Sequence, residues 1–230
     1  MVFGRDLDRP GPHDLALDAL APGERARAER FGTPLLGRRW SASRAALRAL
    51  LPLFGLPATT EIATAPGGKP ELRGSEIRFS MSHSENVALY AFASGRDVGV
   101  DIEIAPRLED CLALAHRFLA PEEAAAIAVL PDGMRHTAFL EVWSAKEAVL
   151  KALGRGIADG LDRFVVARAQ GGRLVVRRSE LADLRPEAVE IVDLRPHLGA
   201  AAALAVIPRS TGWVLGAPRS IVQVGAETSS

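Results

Sequence analysis

Cysteine is nearly absent. Cys111 stands alone in a chain of 230 residues, so no internal disulfide can form, which fits a reducing compartment. Net charge is absent as well. Lys+Arg and Asp+Glu both total 28, which removes any global pull toward nucleic acid or an anionic membrane. A polyanionic ligand would have to meet a local basic cluster. There is no basic stripe laced with aromatics, the usual footprint of nucleic-acid binding. No apolar stretch reaches membrane-spanning length, and the N-terminus lacks a basic segment followed by an apolar one. The expectation is a soluble, cytoplasmic protein. Lysine is scarce, and Lys69, Lys146 and Lys151 all fall in motif-like stretches.

What is present is ordinary globular composition. With 48% hydrophobic and 24% charged residues, the chain can bury a sizeable core as one large domain or two small ones. Residues 5–23 carry several Pro and Gly and read as an extended, looping lead-in, and residues 24–31 favour helix. Residues 38–54 have helical apolar spacing, with Trp40, Leu47, Leu50 and Leu51 on one side and Arg44 and Arg48 four apart. This helix should stop near Pro52. "APGGKP" at 65–70 reads as a turn. Strands follow at 87–93 and 97–104, joined in hairpin style by Ser94-Gly95-Arg96. The second half repeats this logic. A helix begins after Pro121, and a long one covers 135–153 and ends at Gly154. Strands are expected at 163–169, 173–178, 188–193 and 200–207. The fold class expected is α+β, with two small halves, 1–104 and 105–208, a cleft between them, and a tail at 209–230 with a strand-like piece near Trp213.

Two stretches carry acids. In "VGVDIEI", Val98, Val100, Ile102 and Ile104 point one way, and Gly99, Asp101 and Glu103 the other. The plain reading is a solvated strand face. The functional one is a cradle for a hard cation, with Gly99 admitting a close ligand. In "FLEVWSAKEAVLKALG", Phe139, Trp143, Glu147 and Lys151 recur every four residues along one helical stripe. Glu147 and Lys151 are at least an i,i+4 ion pair, worth only ~0.2–0.5 kcal/mol. Taken with Asp101 and Glu103, Glu147 completes a set of three carboxylates suited to Mg²⁺ beside a phosphate-rich substrate, whose remaining charge Arg44, Arg48, Lys69, Lys146 or Lys151 would meet. "FSMSHSEN" at 79–86 crowds Ser80, Ser82, Ser84 and His83 between two strand-like runs. It is open to reading as a serine with its base, a metal ligand, an anion cradle or a turn. Cys111, Trp40 and Trp143 are expected in the core. His13, His116, His136 and His197 show no metal-ligand spacing.

Several pieces in order resemble the 4′-phosphopantetheinyl transferases of the larger, two-half Sfp type. They are "SRAALRALL" (43–51), "GGKPEL" (67–72), "FSMSHSENVALYAF" (79–92), "VGVDIE" (98–103), "RFLAPEE" (117–123) and "FLEVWSAKEAVLKALGRGI" (139–157). The resemblance runs from about residue 20 to 207. It implies two similar α+β halves in a pseudo-twofold arrangement, with the active site at their junction. It implies a Mg²⁺-dependent enzyme that moves the phosphopantetheine arm of coenzyme A onto a serine of an apo acyl or peptidyl carrier protein and releases 3′,5′-ADP. By this resemblance Asp101, Glu103 and Glu147 match the metal-binding acids, and Lys151 matches the lysine near the reacting phosphate. Lys69, Ser82, His83 and Lys146 match positions that hold coenzyme A. Arg44 matches an arginine that meets its 3′-phosphate, with Arg48 the competitor. Glu123 matches a family acid without an assigned role. Ser80 stands where Asn is frequent, and Leu119 where a second Phe is common. A monomer is expected, with no nucleic acid or membrane partner.

Chemically, the carrier serine must lose a proton and the pyrophosphate must be held. Glu147 acts as a base directly, or binds the metal and orients a water. Positioning and electrostatics should carry most of the rate. Three other readings compete. A metal-dependent phosphodiesterase or nuclease fits Asp-x-Glu with Glu-x-x-x-Lys but not the neutral charge. A non-catalytic coenzyme A or carrier-protein binding module would not need the acids. A Ser-His hydrolase lacks a nucleophile-elbow pattern.

Overall fold

The computed structural model describes residues 1–9, 20–65, 67–104, 110–209 and 222–223. His13 and Trp213 lie outside them. The elements follow the expected mixture of helix and strand. β1 (Val2–Asp6) leads to α1 (Pro22–Ala28) and α2 (Pro34–Leu50), and a 3-10 turn at Leu51–Phe54 ends the helical run where Pro52 stands. The Thr33 side chain caps α2 by accepting from the Leu36 N–H, and Pro34 occupies its first turn. A short hairpin, β2 (Ile62–Thr64) and β3 (Pro70–Leu72), closes on the 65–70 turn. β4 (Ile77–Ser84), β5 (Val87–Ser94) and β6 (Arg96–Glu103) complete the first half. The second half runs α3 (Cys111–Phe118), α4 (Pro121–Ala128), α5 (Asp132–Leu153), β7 (Phe164–Arg168), β8 (Leu174–Ser179), β9 (Glu190–Asp193), α6 (Arg195–Leu198) and β10 (Ala201–Pro208). Gly154, at φ 73°, ends α5 in the left-handed conformation that a residue with a Cβ adopts at a cost. β11 (Val222–Gln223) pairs in parallel with β1, so at least this part of the expected tail is sheet. No described helix is long and apolar enough to cross a membrane.

Three expectations are corrected. Residues 5–23 do not begin as a loop, because Val2–Asp6 form a strand that pairs with Val87–Ala91 of β5. "FSMSHS" is not a gap between strands. Ile77–Ser84 is one strand, and the turn is Glu85–Asn86, with Glu85 at φ 50°. Most consequentially, β5 and β6 do not pair as a hairpin. β5 lies in a sheet of order β11-β1-β5-β4, whereas β6 crosses to a second sheet of order β6-β10-β9. β6 is antiparallel to β10 over its whole length, Ala203 opposite Asp101, so a strand of the first half is hydrogen-bonded to the second. A cut at residue 104 therefore divides the chain between elements but not between sheets.

The core has three parts. One packs α2 on β4 and β5, with Leu47, Leu51, Phe79 and Tyr90. A larger one packs α3, α4 and α5 against β7, β8 and β10. The third joins the two sheets through Leu89, Ala91, Val98, Val100, Ile102 and Ala202. β6 is buried on both faces from Val98 to Ile102, so the plain reading of its polar side as solvated fails.

Candidate active site

Both faces of β6 are covered because α5 lies directly on Gly99. A Cβ there would overlap the Ala148 carbonyl oxygen and the Ala152 nitrogen. The expectation that Gly99 admits a ligand is thus corrected: the close neighbour is the helix. This contact aligns the residue two places along β6, Asp101, with the inward turn of α5 that carries Glu147 and Lys151. Asp101, Glu103 and Glu147 each offer an oxygen, and these atoms lie within 4.8 Å of one another. Asp101 and Glu147 are buried and Glu103 is half-buried.

Three carboxylates so close, withdrawn from water, resist ionisation together. Burial, then the charges of Asp101 and Glu147, pushes Glu103 up to about 7, and burial with Asp101 raises Glu147 too. Lys151 offsets part of this. Its ammonium lies 2.5 Å from Asp101 Oδ1 and 3.5 Å from Glu147 Oε2. It also donates to Ser82 Oγ at 3.0 Å, and that hydroxyl donates to Asp101 Oδ1 at 2.8 Å. The Trp143 indole lowers both glutamates as a hydrogen-bond donor. One atom stays unmatched: Asp101 Oδ2 is buried with no hydrogen-bond partner. An orphaned carboxylate oxygen among two more carboxylates is a donor set that fits a hard divalent cation, and the protein alone does not satisfy it.

The acids line a cavity of about 480 Å³. Basic groups line it as well. Arg27 and Arg44 both lie over the Trp40 ring, 5.7 Å from its centroid, and His83 joins them in the lining. Such a cavity, lined by basic groups and by acids with a free oxygen, suits a phosphate-rich ligand bound together with a cation. A larger cavity of about 720 Å³ sits between the end of α1, the first turns of α2 and residues Leu7, Asp8 and Arg9, with no such group of acids.

The sequence-predicted residues divide sharply. Asp101, Glu103, Glu147, Lys151, Ser82, His83 and Arg44 all line this one cavity. Within it Ser82 is spent on Asp101 and Lys151, while His83, on the alternate face of β4, is exposed. The serines have a shared task. Ser80 accepts from the Val100 N–H at 3.1 Å and Ser84 from the Ile104 N–H at 2.9 Å, so Ser80, Ser82 and Ser84 bind β4 to β6 across the two sheets. Arg44, not Arg48, faces the cavity. Arg48 is buried, with Glu24 Oε2 at 2.8 Å and the carbonyls of Ala58 and Thr60 as its partners. Glu24 also holds the Arg44 Nε, at 3.2 Å.

The structure places two residues expected to hold coenzyme A outside the lining of this cavity. Lys146 is fully buried on the far side of α5, bonded to Glu123 and to the Phe164 carbonyl. Adjacent residues on a helix point about 100° apart, so Lys146 cannot share the face of Glu147. Glu123 gains a role from this: it accepts from Lys146, the Val166 N–H and the Ala120 N–H, joining α4, α5 and β7. Lys69 reaches the wall of a smaller adjoining cavity, but its ammonium is bonded to the carbonyls of Val98 and Ala152. Trp40 and Trp143, expected in the core, are each partly exposed, whereas Cys111 is buried as expected. Sequence reasoning missed Arg27, Glu24 and the indole of Trp143. The spacing of Glu24 before two helical arginines was a visible signal, but only the fold brings α1 onto α2.

Comparisons with known proteins point to one family. Residues 97–206 match the family model described as the 4′-phosphopantetheinyl transferase superfamily, a span that holds Asp101, Glu103, Glu147 and Lys151. A Synechocystis sp. protein named provisionally as a 4′-phosphopantetheinyl transferase is 38% identical over 64% of this chain and 61% of its own length. The 4′-phosphopantetheinyl transferase HetI of Nostoc sp. is 39% identical over 66% of this chain and 67% of its own. The psf-1 4′-phosphopantetheinyl transferase of Bacillus pumilus is 31% identical over 67% of this chain and 66% of its own. The chain thus spans about two thirds or less of these relatives' lengths. On the family match and these identities, the chain belongs to the 4′-phosphopantetheinyl transferase superfamily.

Proposed function

We propose that this chain transfers the 4′-phosphopantetheine arm of coenzyme A to a serine of an apo acyl or peptidyl carrier protein. The serine Oγ forms a bond to the phosphorus that bears the pantetheine. The bond from that phosphorus to the bridging oxygen breaks, and 3′,5′-ADP leaves. The observation that carries this reading is the cavity itself, lined both by an acid triad with an orphaned Asp101 oxygen and by Arg27, Arg44 and His83. The basic groups would take the 3′-phosphate, and the acids the pyrophosphate with its cation.

Asp101, Glu103 and Glu147 would hold the Mg²⁺. When bound, it supplies charge neutralisation for the attacked phosphoryl group and the leaving diphosphate. Lys151 stands on the same acids, poised to turn its ammonium to a phosphate oxygen once substrate arrives. Ser82 holds Asp101 and Lys151 in register. Glu147 orients the water that takes the serine proton. The required partners are coenzyme A and the carrier protein; neither a nucleic acid nor a membrane is needed.

The test is incubation with coenzyme A, Mg²⁺ and a panel of apo carrier proteins, read by intact mass. A carrier should gain one arm, and Glu103→Ala should remove most of that gain while the protein stays folded. No addition to any carrier by the folded protein would overturn the reading. Robust nicking of plasmid DNA with Mg²⁺ would replace it with a phosphodiesterase.

A further inference from the structure

The last turn of a helix leaves carbonyl oxygens without partners inside the helix, and a cation placed there meets both these oxygens and the negative end of the helix dipole. In α5, whose final turns carry Lys151, this cation comes from the other half of the chain. Lys69 Nζ donates to the Ala152 carbonyl at 3.1 Å and to the Val98 carbonyl of β6 at 2.9 Å. Its side chain also runs along Gly154, with Cδ 3.8 Å from where a Cβ of that residue would stand. The same turn makes a second contact. Gly67 presses so closely on the Gly154 carbonyl that a Cβ at 67 would overlap it. The turn is itself closed by bonds between Ala65 and Lys69 and between Gly68 and Ala65. Gly68 and Pro70, on either side of Lys69, line the cavity shared with the acids.

We propose that Lys69 is a positioning residue. It straps the 65–70 turn, one wall of the cavity, to the end of α5 and to β6, and so fixes that wall relative to Lys151 and Asp101. The ammonium has its two carbonyl partners within the protein and acts through them. This deepens the transferase reading and rests on it for its kinetic consequence, but the strap itself is a property of the fold.

The test compares Lys69→Met and Lys69→Arg with the wild type, using coenzyme A and 3′-dephospho-coenzyme A as alternative substrates. Lys69→Gln keeps a donor and serves if the methionine variant does not fold. Misplacement of a cavity wall should lower kcat on the order of tenfold to a hundredfold. The preference for coenzyme A over its dephospho form should stay as in the wild type, and arginine, which can donate to both carbonyls, should restore most of the rate. Loss of that preference in Lys69→Met would overturn the proposal and make Lys69 a phosphate contact. A folded Lys69→Met with unchanged kcat and KM would overturn it as well. Amide hydrogen exchange gives an independent readout: residues 65–70 and 150–155 should lose protection together in Lys69→Met. If the wild type transfers no arm, the transferase reading fails while exchange still decides the strap, and unchanged protection in both segments refutes it.

Discussion

At Lys151 a single ammonium does two jobs that a bound cation would divide. Without metal it neutralises Asp101 through Oδ1 and approaches Glu147, and its charge sits beside the carboxylates that would hold a cation. Lys151→Met should therefore move two observables in opposite directions. Turnover should fall by about a hundredfold or more, as expected for loss of a charge contact to a transferring phosphoryl group. Mg²⁺ or Mn²⁺ affinity in the absence of coenzyme A should rise, measured by calorimetry, because a competing positive charge is gone. Weaker metal binding in the variant would show that the lysine supports the ligands rather than competing with the cation. Lys151 and Glu147 were legible in the sequence as an i,i+4 pair on an aromatic stripe. The competition was not, because it depends on Asp101 arriving from a strand 50 positions away.

Elements set these contacts through close packing. Gly99 lets α5 seat on β6, and its obstacle is backbone on both sides, Ala148 and Ala152, which cannot yield as a flexible side chain would. Gly99→Ala should cost about 1–3 kcal/mol by overpacking, measured by urea unfolding. It should also depress transfer more than this stability loss explains, because Glu147 and Lys151 move with the helix. On the opposite face of α5, Lys146 and Glu123 form a buried pair in which burial drives the lysine down and the glutamate up against their mutual attraction. Removing one partner strands the other, so Lys146→Met should destabilise by about 3–5 kcal/mol, with less loss when Glu123→Gln is added. A Lys146→Met protein of wild-type stability but weakened coenzyme A affinity would return Lys146 to the substrate site. Here the motif was visible and its role was not. "WSAKEA" shows two adjacent charges, and only the burial of each face tells which meets solvent.

For the whole molecule the acid triad couples pH, metal and stability. An acid whose folded-state pKa lies above its ordinary value favours the folded state when protonated. Glu103, raised from 4.5 to about 7 in the metal-free protein, thus contributes stability that is full below about 4.5 and is lost as pH rises through about 7, and Glu147 is pushed the same way. A divalent cation relieves the repulsion of the ionised acids and must displace protons to bind. The Mg²⁺-induced rise in Tm should therefore be larger at pH 8 than at pH 6, read by thermal unfolding in buffers of equal ionic strength. An equal or larger rise at pH 6 would exclude these acids as the metal site. Several boundaries that frame the site were readable in advance, namely the end of the α2 run near Pro52, α5 ending at Gly154, and the β7–β8 hairpin, whereas β4, which carries Ser82 and His83, was not.

The sequence by itself determined what is local. Periodicity, proline and glycine placed helices and strands, and the alternation in "VGVDIEI" put Asp101 and Glu103 on one side of a strand, because these depend on neighbours a few residues apart. The tertiary structure alone decided what each charged group faces. It sent β6 out of the expected hairpin to β10, turned Ser80, Ser82 and Ser84 into a bond between sheets, and chose Arg44 over Arg48. It also set Lys69 on the carbonyls of Val98 and Ala152, and Lys146 on Glu123. The physical reason is that a side chain's role follows from burial and from partners distant in the chain, and neither is fixed until the sheets and helices have packed.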